Sequence, residues 1–572
     1  MNNILSVLCI LGIYNFSQKL SVLNFKSRNN IILTTFIFSL VFFFIYIVNA
    51  YLFIFDVSSK TFSIIFFIIS LFFAFDFLIK NYFKIYNSIN NNFNSKLTIF
   101  SVISFFILSY MQPSDEDSIR YHLEIPQKII DGTFYENTWF DYITIGTNEF
   151  INLFGLHFGF LNTSSILNFI YLLFIILSNK FFFKKRNIGT EWLGSILILS
   201  SPYVIALIAS QKMYLLPSYI VAYSIAYLYI HKNQIFYRDI LLIISLNIFA
   251  VVTKPIFIPY LGMVIFYSLF FLKYNFKNKI YLLIFILSIS FMAYLPIGII
   301  KFKIYQDPFL PVVSINKLNF DWWSIYSKEV LTSGQMDFTD QLSNFYKLVL
   351  IPIKLIIPLR IEDLFKTLGL GMFFLYFLEY KKNKNLFFLI LLFTLSVLIL
   401  KNYQSRWFLP LLLLVGIFTK ETKFKLLNNL AKYQSIFSLI IIIPLSLLTL
   451  IPNNFNLHKK LFSQQNIIDV MNDKYNNEKY FSNLNSYFYL KNEIPVYITQ
   501  KNILTNYDPD FFKKSHKIKL FLYEERDEAF SDFVKKNSLC NNYKIIEEFN
   551  YNSRRFFFIG KKKKVKLYRL LC

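Results

Sequence analysis

The chain has 572 residues, of which 55% are hydrophobic and 16% charged, and its mean hydropathy is +0.46. A soluble fold of that size could not cover so much apolar surface with so few polar groups. The formal net charge of +25 would suggest nucleic acid in a soluble protein. Here the cations gather between apolar blocks, which reads as topology-fixing loops and as no nucleic-acid partner. Phe (70) and Tyr (39) are so frequent that no single aromatic is read as functional.

Residues 3–16 are apolar but short for a span, and lack the basic flank and cleavage site of a signal peptide. They either span or lie along the interface as an amphipathic helix, within a cytoplasmic or interfacial segment covering 1–29. Apolar runs then predict spans near 30–55, 61–79, 97–112, 164–179, 190–209, 213–230, 239–252, 256–272, 280–299, 364–379, 386–400, 406–419 and 435–452. That makes about 13 crossings. Asp76, inside the second run, is read as a helix-packing polar residue. Alternate loops are basic: Lys19, Lys26 and Arg28; Lys80, Lys84 and Lys96; Lys184 to Arg186; Lys232 and Arg238; Lys273, Lys277 and Lys279; Lys381, Lys382 and Lys384; Lys420, Lys423 and Lys425. These loops, and the N-terminus, are assigned to the cytoplasm.

Three regions then lie outside: the loop 113–163, the stretch 300–363 and the tail 453–572. The expected fold is an all-α polytopic membrane domain over 30–452 followed by a small extracytoplasmic α/β domain. In the tail, Pro495–Thr499 and Ile518–Tyr523 read as strands and Asp527–Lys536 as a helix. Tyr543–Glu548 and Arg555–Ile559 read as a terminal hairpin, with Lys561–Lys564 a solvated strand end or a contact for anionic headgroups. Cys540 and Cys572 could pair if the tail is extracytoplasmic, whereas Cys9 lies in an apolar run.

The first outside loop is unusually acidic for so basic a chain. It holds Asp115, Glu116, Asp117, Glu124, Asp131, Glu136, Asp141 and Glu149 against Arg120 and Lys128. Three consecutive acids at a membrane boundary are costly without a partner or water. Residues 118–131 have helical spacing, with Ile119, Leu123, Pro126, Ile129 and Ile130 as the apolar stripe and Asp117 or Ser118 as cap. A carboxylate at such a helix start is favoured by the dipole and can serve as a general base.

Asp117, Arg120, Tyr121 and Gly132 form D-x-x-R-Y-x(10)-G just after an early apolar run. This resembles the first periplasmic loop of the GT-C glycosyltransferases, in particular the lipid A aminoarabinose transferase, protein O-mannosyltransferase and Rgt-type groups. Asp307–Pro311 is similar to a later outside segment of those proteins, with Asp where Asn is usual and Gln306 in place of Gly. Arg406–Pro410 resembles their R-[YF]-x-x-P. The resemblance spans about residues 97–452 in layout, and implies a polytopic enzyme of a bacterial cytoplasmic membrane. Such an enzyme moves sugar from a polyprenyl-phosphate donor to an outside acceptor, with inversion. It makes Asp117 the catalytic base, with Asp115 as the one-turn alternative and Glu116 as an assistant. Divalent-metal use varies across that superfamily, and no metal site is evident in the sequence.

The lipid phosphate needs cations on the outer side. Lys212 in SQKMYLLP, Lys254 in VTKPIFIP and Arg406 in YQSRWFLP stand there against the inward bias, to grip phosphate or to snorkel. His122 is read either as a ligand of phosphate or acceptor or as a structural hydrogen-bonding group, and Arg120 and Tyr121 as substrate contacts. The competing classes are a transporter or flippase of lipid-linked sugars, an O-antigen polymerase or ligase, and a non-catalytic GT-C relative. The donor sugar and the acceptor stay open.

Overall fold

A computed structural model describes residues 2–25, 31–87, 93–110, 113, 118–135, 145–186, 193–231, 235–270, 275–305, 307–309, 353–358, 366–377, 405–419, 425–450, 465–484, 490, 493–495, 497–498, 503–504, 518–524, 530–536, 542–555 and 558–571. The chain divides into two units: Met1–Met111 with Gly146–Ser446, and Gln112–Ile145 with Leu447–Cys572.

The first unit is helical. It begins with α1 (Asn2–Phe25), α2 (Ile31–Ile54), α3 (Ser59–Asn87) and α4 (Phe93–Ser109). The chain enters the second unit for a short helix, α5 (Glu124–Ile130), and returns as α6 (Thr147–Leu156) and α7 (Thr163–Arg186). Next come α8 (Leu193–Leu199), α9 (Pro202–Ile208), α10 (Leu215–His231), α11 (Tyr237–Thr253), α12 (Ile258–Phe270), α13 (Phe276–Tyr305), α14 (Leu409–Phe418) and α15 (Lys425–Leu450). Among the described residues, α1, α2, α3, α7 and α13 contain stretches long and apolar enough to cross a membrane, by length and composition. Shorter apolar helices run over Phe100–Ser109, Leu215–His231, Pro255–Phe270 and Arg406–Phe418. Ile65, Ile68, Phe72 and Ile79 on α3, and Ile284, Leu287 and Phe291 on α13, are exposed. Apolar faces this continuous are unfavourable in water and suit lipid.

Inside the bundle, polar groups find partners. Tyr219 Oη meets Thr35 Oγ1 at 2.6 Å and Ser178 Oγ at 2.8 Å, and Tyr171 Oη meets Ser39 Oγ at 2.7 Å. Pro296 lies within α13 and cannot donate to the carbonyl four residues back. That carbonyl, of Met292, accepts the Tyr51 hydroxyl instead, and the next, of Ala293, accepts the Tyr46 hydroxyl. A proline inside an apolar helix is tolerated when a neighbour fills the freed acceptor.

Three segments differ from the sequence expectation. The N-terminal helix does not stop at residue 16 but continues to Phe25 and packs on α3. A Cβ on Gly12 would lie 1.7 Å from the Ser70 carbonyl oxygen, so the backbones touch there. Asn15 donates to Asp76 at 2.8 Å, and Lys19 and Lys80 close on the same carboxylate at 2.8 and 2.6 Å. Matching Gly12 to Ser70 and Lys19 to Asp76 makes α1 and α3 run in the same direction. Residues 190–209 are not one helix: α8 and α9 are separated by Ser200–Ser201, with Pro202 starting the second. The Ser200 carbonyl, freed by the break, accepts from Gln434 Nε2 at 3.1 Å and Ser438 Oγ at 2.8 Å. Residues 370–377 form a 3-10 helix where an α-helical span is expected. The expected span at 386–400 and nearly all of 300–363 lie outside the described residues, as do Cys540 and Cys572.

In the second unit, the tail contributes α16 (Gln465–Lys474), β1 (Tyr480–Ser482), β2 (Glu493–Pro495), β3 (Tyr497–Ile498), β4 (Ile503–Leu504), β5 (Leu520–Glu524), α17 (Phe530–Lys536), β6 (Tyr543–Arg555) and β7 (Phe558–Leu570). A five-stranded sheet runs β2-β1-β5-β7-β6, parallel across β2, β1 and β5 and antiparallel beyond. Strand alternation sorts the core onto both faces. Leu520, Leu522, Val565 and Leu567 join Ile467, Ile468 and Met471 of α16 on one face. Phe521, Tyr523 and Tyr568 join Phe530 and Val534 of α17 on the other. The expected strand and helix at 518–523 and 527–536 are present, but the hairpin is longer than expected. Lys561–Lys564 lie within β7 rather than at a strand end.

Candidate functional site

In the first unit, α10 and α14 begin, and α11 and α13 end, around one charged cluster. Proline fixes three of these junctions. Lys254 precedes Pro255, and a residue before proline is pushed out of the helical region. Lys254 accordingly caps α11 with φ −150° and ψ 116°. Pro410 sits in the first turn of α14, which leaves Arg406 in a 3-10 turn, Ser405–Phe408, just ahead of it. Pro217 lies in the first turn of α10, and Tyr214 immediately precedes that helix. Helix starts carry unpaired N–H groups and partial positive charge.

Two of the three predicted cations, Lys254 and Arg406, converge on Tyr214, which is buried. The Lys254 ammonium lies 5.5 Å from its ring centroid, and the Arg406 guanidinium 5.6 Å. Arg406 Nη1 donates to Tyr214 Oη at 3.1 Å, and its guanidinium lies 4.8 Å from the Trp407 ring. Trp407 meets Tyr214 edge-on at 5.7 Å. Cation–π contact of this kind holds a side chain without neutralising its charge. Behind them is Lys301 of α13, 6% exposed, within electrostatic reach of Lys254, Glu149 and Asp307. Glu149 accepts the Gly146 N–H at 2.7 Å and so closes the start of α6. Asp307 is fully buried and accepts the Phe309 N–H at 3.0 Å.

The segment 208–214, which carries Lys212 and Tyr214, is held by a buried polar network. Gln211 accepts the Ser164 N–H at 3.1 Å and donates to Ser165 Oγ at 2.8 Å. Asn148 donates to the Gln211 carbonyl at 2.8 Å, and Asn168 to the Lys212 carbonyl at 2.9 Å. A fully connected network of this kind fixes a loop as firmly as a helix. The Lys212 side chain is half-buried.

Residues 113–145 of the acidic loop belong to the second unit, whereas Glu149 stands in the first. Asp115, Glu116 and Asp117 lie outside the described residues. Directly after them the chain forms a helix at the expected place, but its first turn, Ser118–Leu123, is a π-helix. The extra residue per turn shifts the buried face. The buried residues are Ser118, His122, Leu123, Glu124, Ile125 and Pro126, whereas Ile130 of the expected stripe is exposed. Arg120 and Tyr121 stand in the π-turn, with the Tyr121 and His122 rings 4.4 Å apart. Glu124 pairs with Lys128 at 2.7 Å. Gly132 has φ +70°, and Thr133 N–H returns to the Lys128 carbonyl at 3.0 Å. The glycine of the sequence motif is therefore the left-handed residue that ends this helix.

Of the predicted residues, Lys254 and Arg406 come together. Lys301 and Tyr214 were not singled out from sequence. Among the described residues, no group of three or more His, Cys, Asp or Glu side chains is arranged to hold a metal. No family model, curated protein or solved structure matches the chain.

Proposed function

We propose that the protein is a membrane glycosyltransferase that transfers sugar from a polyprenyl-phosphate donor to an acceptor on the extracytoplasmic face of a bacterial cytoplasmic membrane. The observation that carries this reading is the convergence of Lys254 and Arg406 on Tyr214, at proline-fixed helix starts. Each stands in the sequence as a cation against the inward lysine bias, and the two come from separate stretches of chain. An arginine supplies bidentate donors and a lysine a point charge. In this reading Asp117 takes the proton of the acceptor hydroxyl. The acceptor oxygen bonds to the anomeric carbon as the bond to phosphate breaks, and the lipid phosphate departs with the electron pair.

A transporter of lipid-linked sugars is the second reading, favoured by the break at Ser200–Ser201. Transporters build binding sites from broken helices. Against it, the freed carbonyl is already filled by Gln434 and Ser438. The test is purified protein with a panel of radiolabelled polyprenyl-phosphate sugars, beside Asp117→Asn. Turnover lost in the variant supports a transferase with that base. Undiminished turnover in a correctly inserted Asp117→Asn overturns the base. Donor movement across liposomes without sugar release overturns the transferase.

A further inference from the structure

The β6–β7 hairpin is longer than the sheet that holds it. β7 pairs with β5 only from Val565 to Arg569. It continues against β6 from Lys564 through Phe558, with Asn550 opposite Lys564, Asn552 opposite Lys562 and Arg555 opposite Phe558. The distal half is thus a two-stranded ribbon beyond the end of β5 as described. Its charges differ from those of its base. At the base Lys474 pairs with Glu547 and Arg569 with Glu478, and on the first residues of the ribbon Lys563 pairs with the buried Glu524. Beyond Glu548 the sequence has no acid at all, while Arg554, Arg555, Lys561, Lys562 and Lys564 all fall on the ribbon. In the register Arg554, Arg555, Lys562 and Lys564 stand opposite Ile559, Phe558, Asn552 and Asn550, so the ribbon gathers positive charge with no acid across the strands, and such charge attracts an anionic surface.

We propose that this ribbon docks on anionic lipid headgroups. Two observations select lipid. The tail follows directly from α15, an apolar helix, so the bilayer is its tethered neighbour at high effective concentration. The ribbon also joins a run of cations to apolar residues, Phe558 and Ile559, at its far end, the combination that binds an anionic interface. The inference does not depend on the transferase reading.

The test uses the full chain in nanodiscs of phosphatidylcholine alone or with added phosphatidylglycerol. Acetylation rates of individual lysines are read by mass spectrometry, with Lys474 and Lys544 as internal references in the same unit. Lys561, Lys562 and Lys564 are expected to react several-fold more slowly with phosphatidylglycerol present, each cation being worth about a factor of five at such a surface. The protection should vanish in high salt. In K561Q/K564Q, which spares the Lys563–Glu524 pair, the protection of Lys562 should weaken while the references stay unchanged. Equal rates in both lipids overturn the proposal. So does protection indifferent to lipid charge and to salt, which would mark a protein contact.

Discussion

Two charged clusters lie at opposite ends of the helical unit. At one, Asp76 on α3 gathers Lys19, Lys80 and Asn15. At the other, Glu149 and Asp307 share their surroundings with Lys254 and Lys301, and Arg406 and Lys254 both lie at the Tyr214 ring. Cations outnumber carboxylates by one in each, two to one and three to two. What differs is exposure. The lysine side chains on Asp76 are 41% and 64% exposed, so they can reach water or headgroups. Lys301 is 6% exposed, and its surplus of charge has no such outlet. The first arrangement joins two helices. The second is enclosed where several helices meet.

The sharpest way to break this comparison is Lys301→Met. Removing a buried cation leaves Glu149 and Asp307 without its charge, a change that costs roughly 3 kcal/mol. Thermal unfolding in detergent should show a large drop, and adding Glu149→Gln should recover part of it. Stability equal to the parent protein would mean that the cluster is not electrostatically coupled.

Gly12→Ala attacks the other end through packing. Its Cβ would meet the Ser70 backbone, which cannot swing aside as a side chain could. Overpacking of that kind costs about 2 kcal/mol. The expected result is a lower unfolding temperature. An unchanged protein would mean that α1 does not press on α3.

Much of this was legible because spans are written in long runs. Ile31–Ile54 and Thr163–Arg186 follow the apolar blocks closely, since length alone selects them. Lys254 and Arg406 stood out because lysine bias assigned every other loop to the opposite side. Lys301 looked like one more boundary lysine, two residues from Lys303, and only the packing of α13 buries it. Tyr214 was lost among 39 tyrosines. The N-terminal helix seemed to end where Ser17, Gln18 and Lys19 begin, because Asp76, which takes up Lys19, is distant in sequence. The π-turn at Ser118–Leu123 keeps the expected helix but rotates its buried face, a shift that periodicity cannot see.

Asp76→Asn should do less than either earlier substitution. Both lysines are exposed enough to turn to solvent, and the new amide can still meet Asn15. Exposed ion pairs contribute little. Unfolding temperature within error of the parent is expected. A large loss would show that this cluster carries the weight assigned to Lys301.

The smallest expected effect is a pH dependence at the start of α3, the end away from Asp76. Ser59 Oγ lies 2.7 Å from His157 Nε2. Burial, and then the charge of Lys60, hold the His157 pKa below its ordinary 6.5. The folded chain therefore favours neutral imidazole, while the unfolded chain takes up a proton first as pH falls. By linkage, the contribution is fully present above the unfolded pKa and is lost as pH falls through the lower folded value. Unfolding temperature measured from about pH 7.5 down to about pH 5 should fall slightly more steeply for the parent protein than for His157→Gln. The glutamine has no proton to gain and can still hydrogen-bond Ser59. Parallel curves would remove His157 as the source. A steeper curve in the variant would mean that the imidazole is stabilised in its charged form, and that this end of α3 tolerates cations as well as the Asp76 end does.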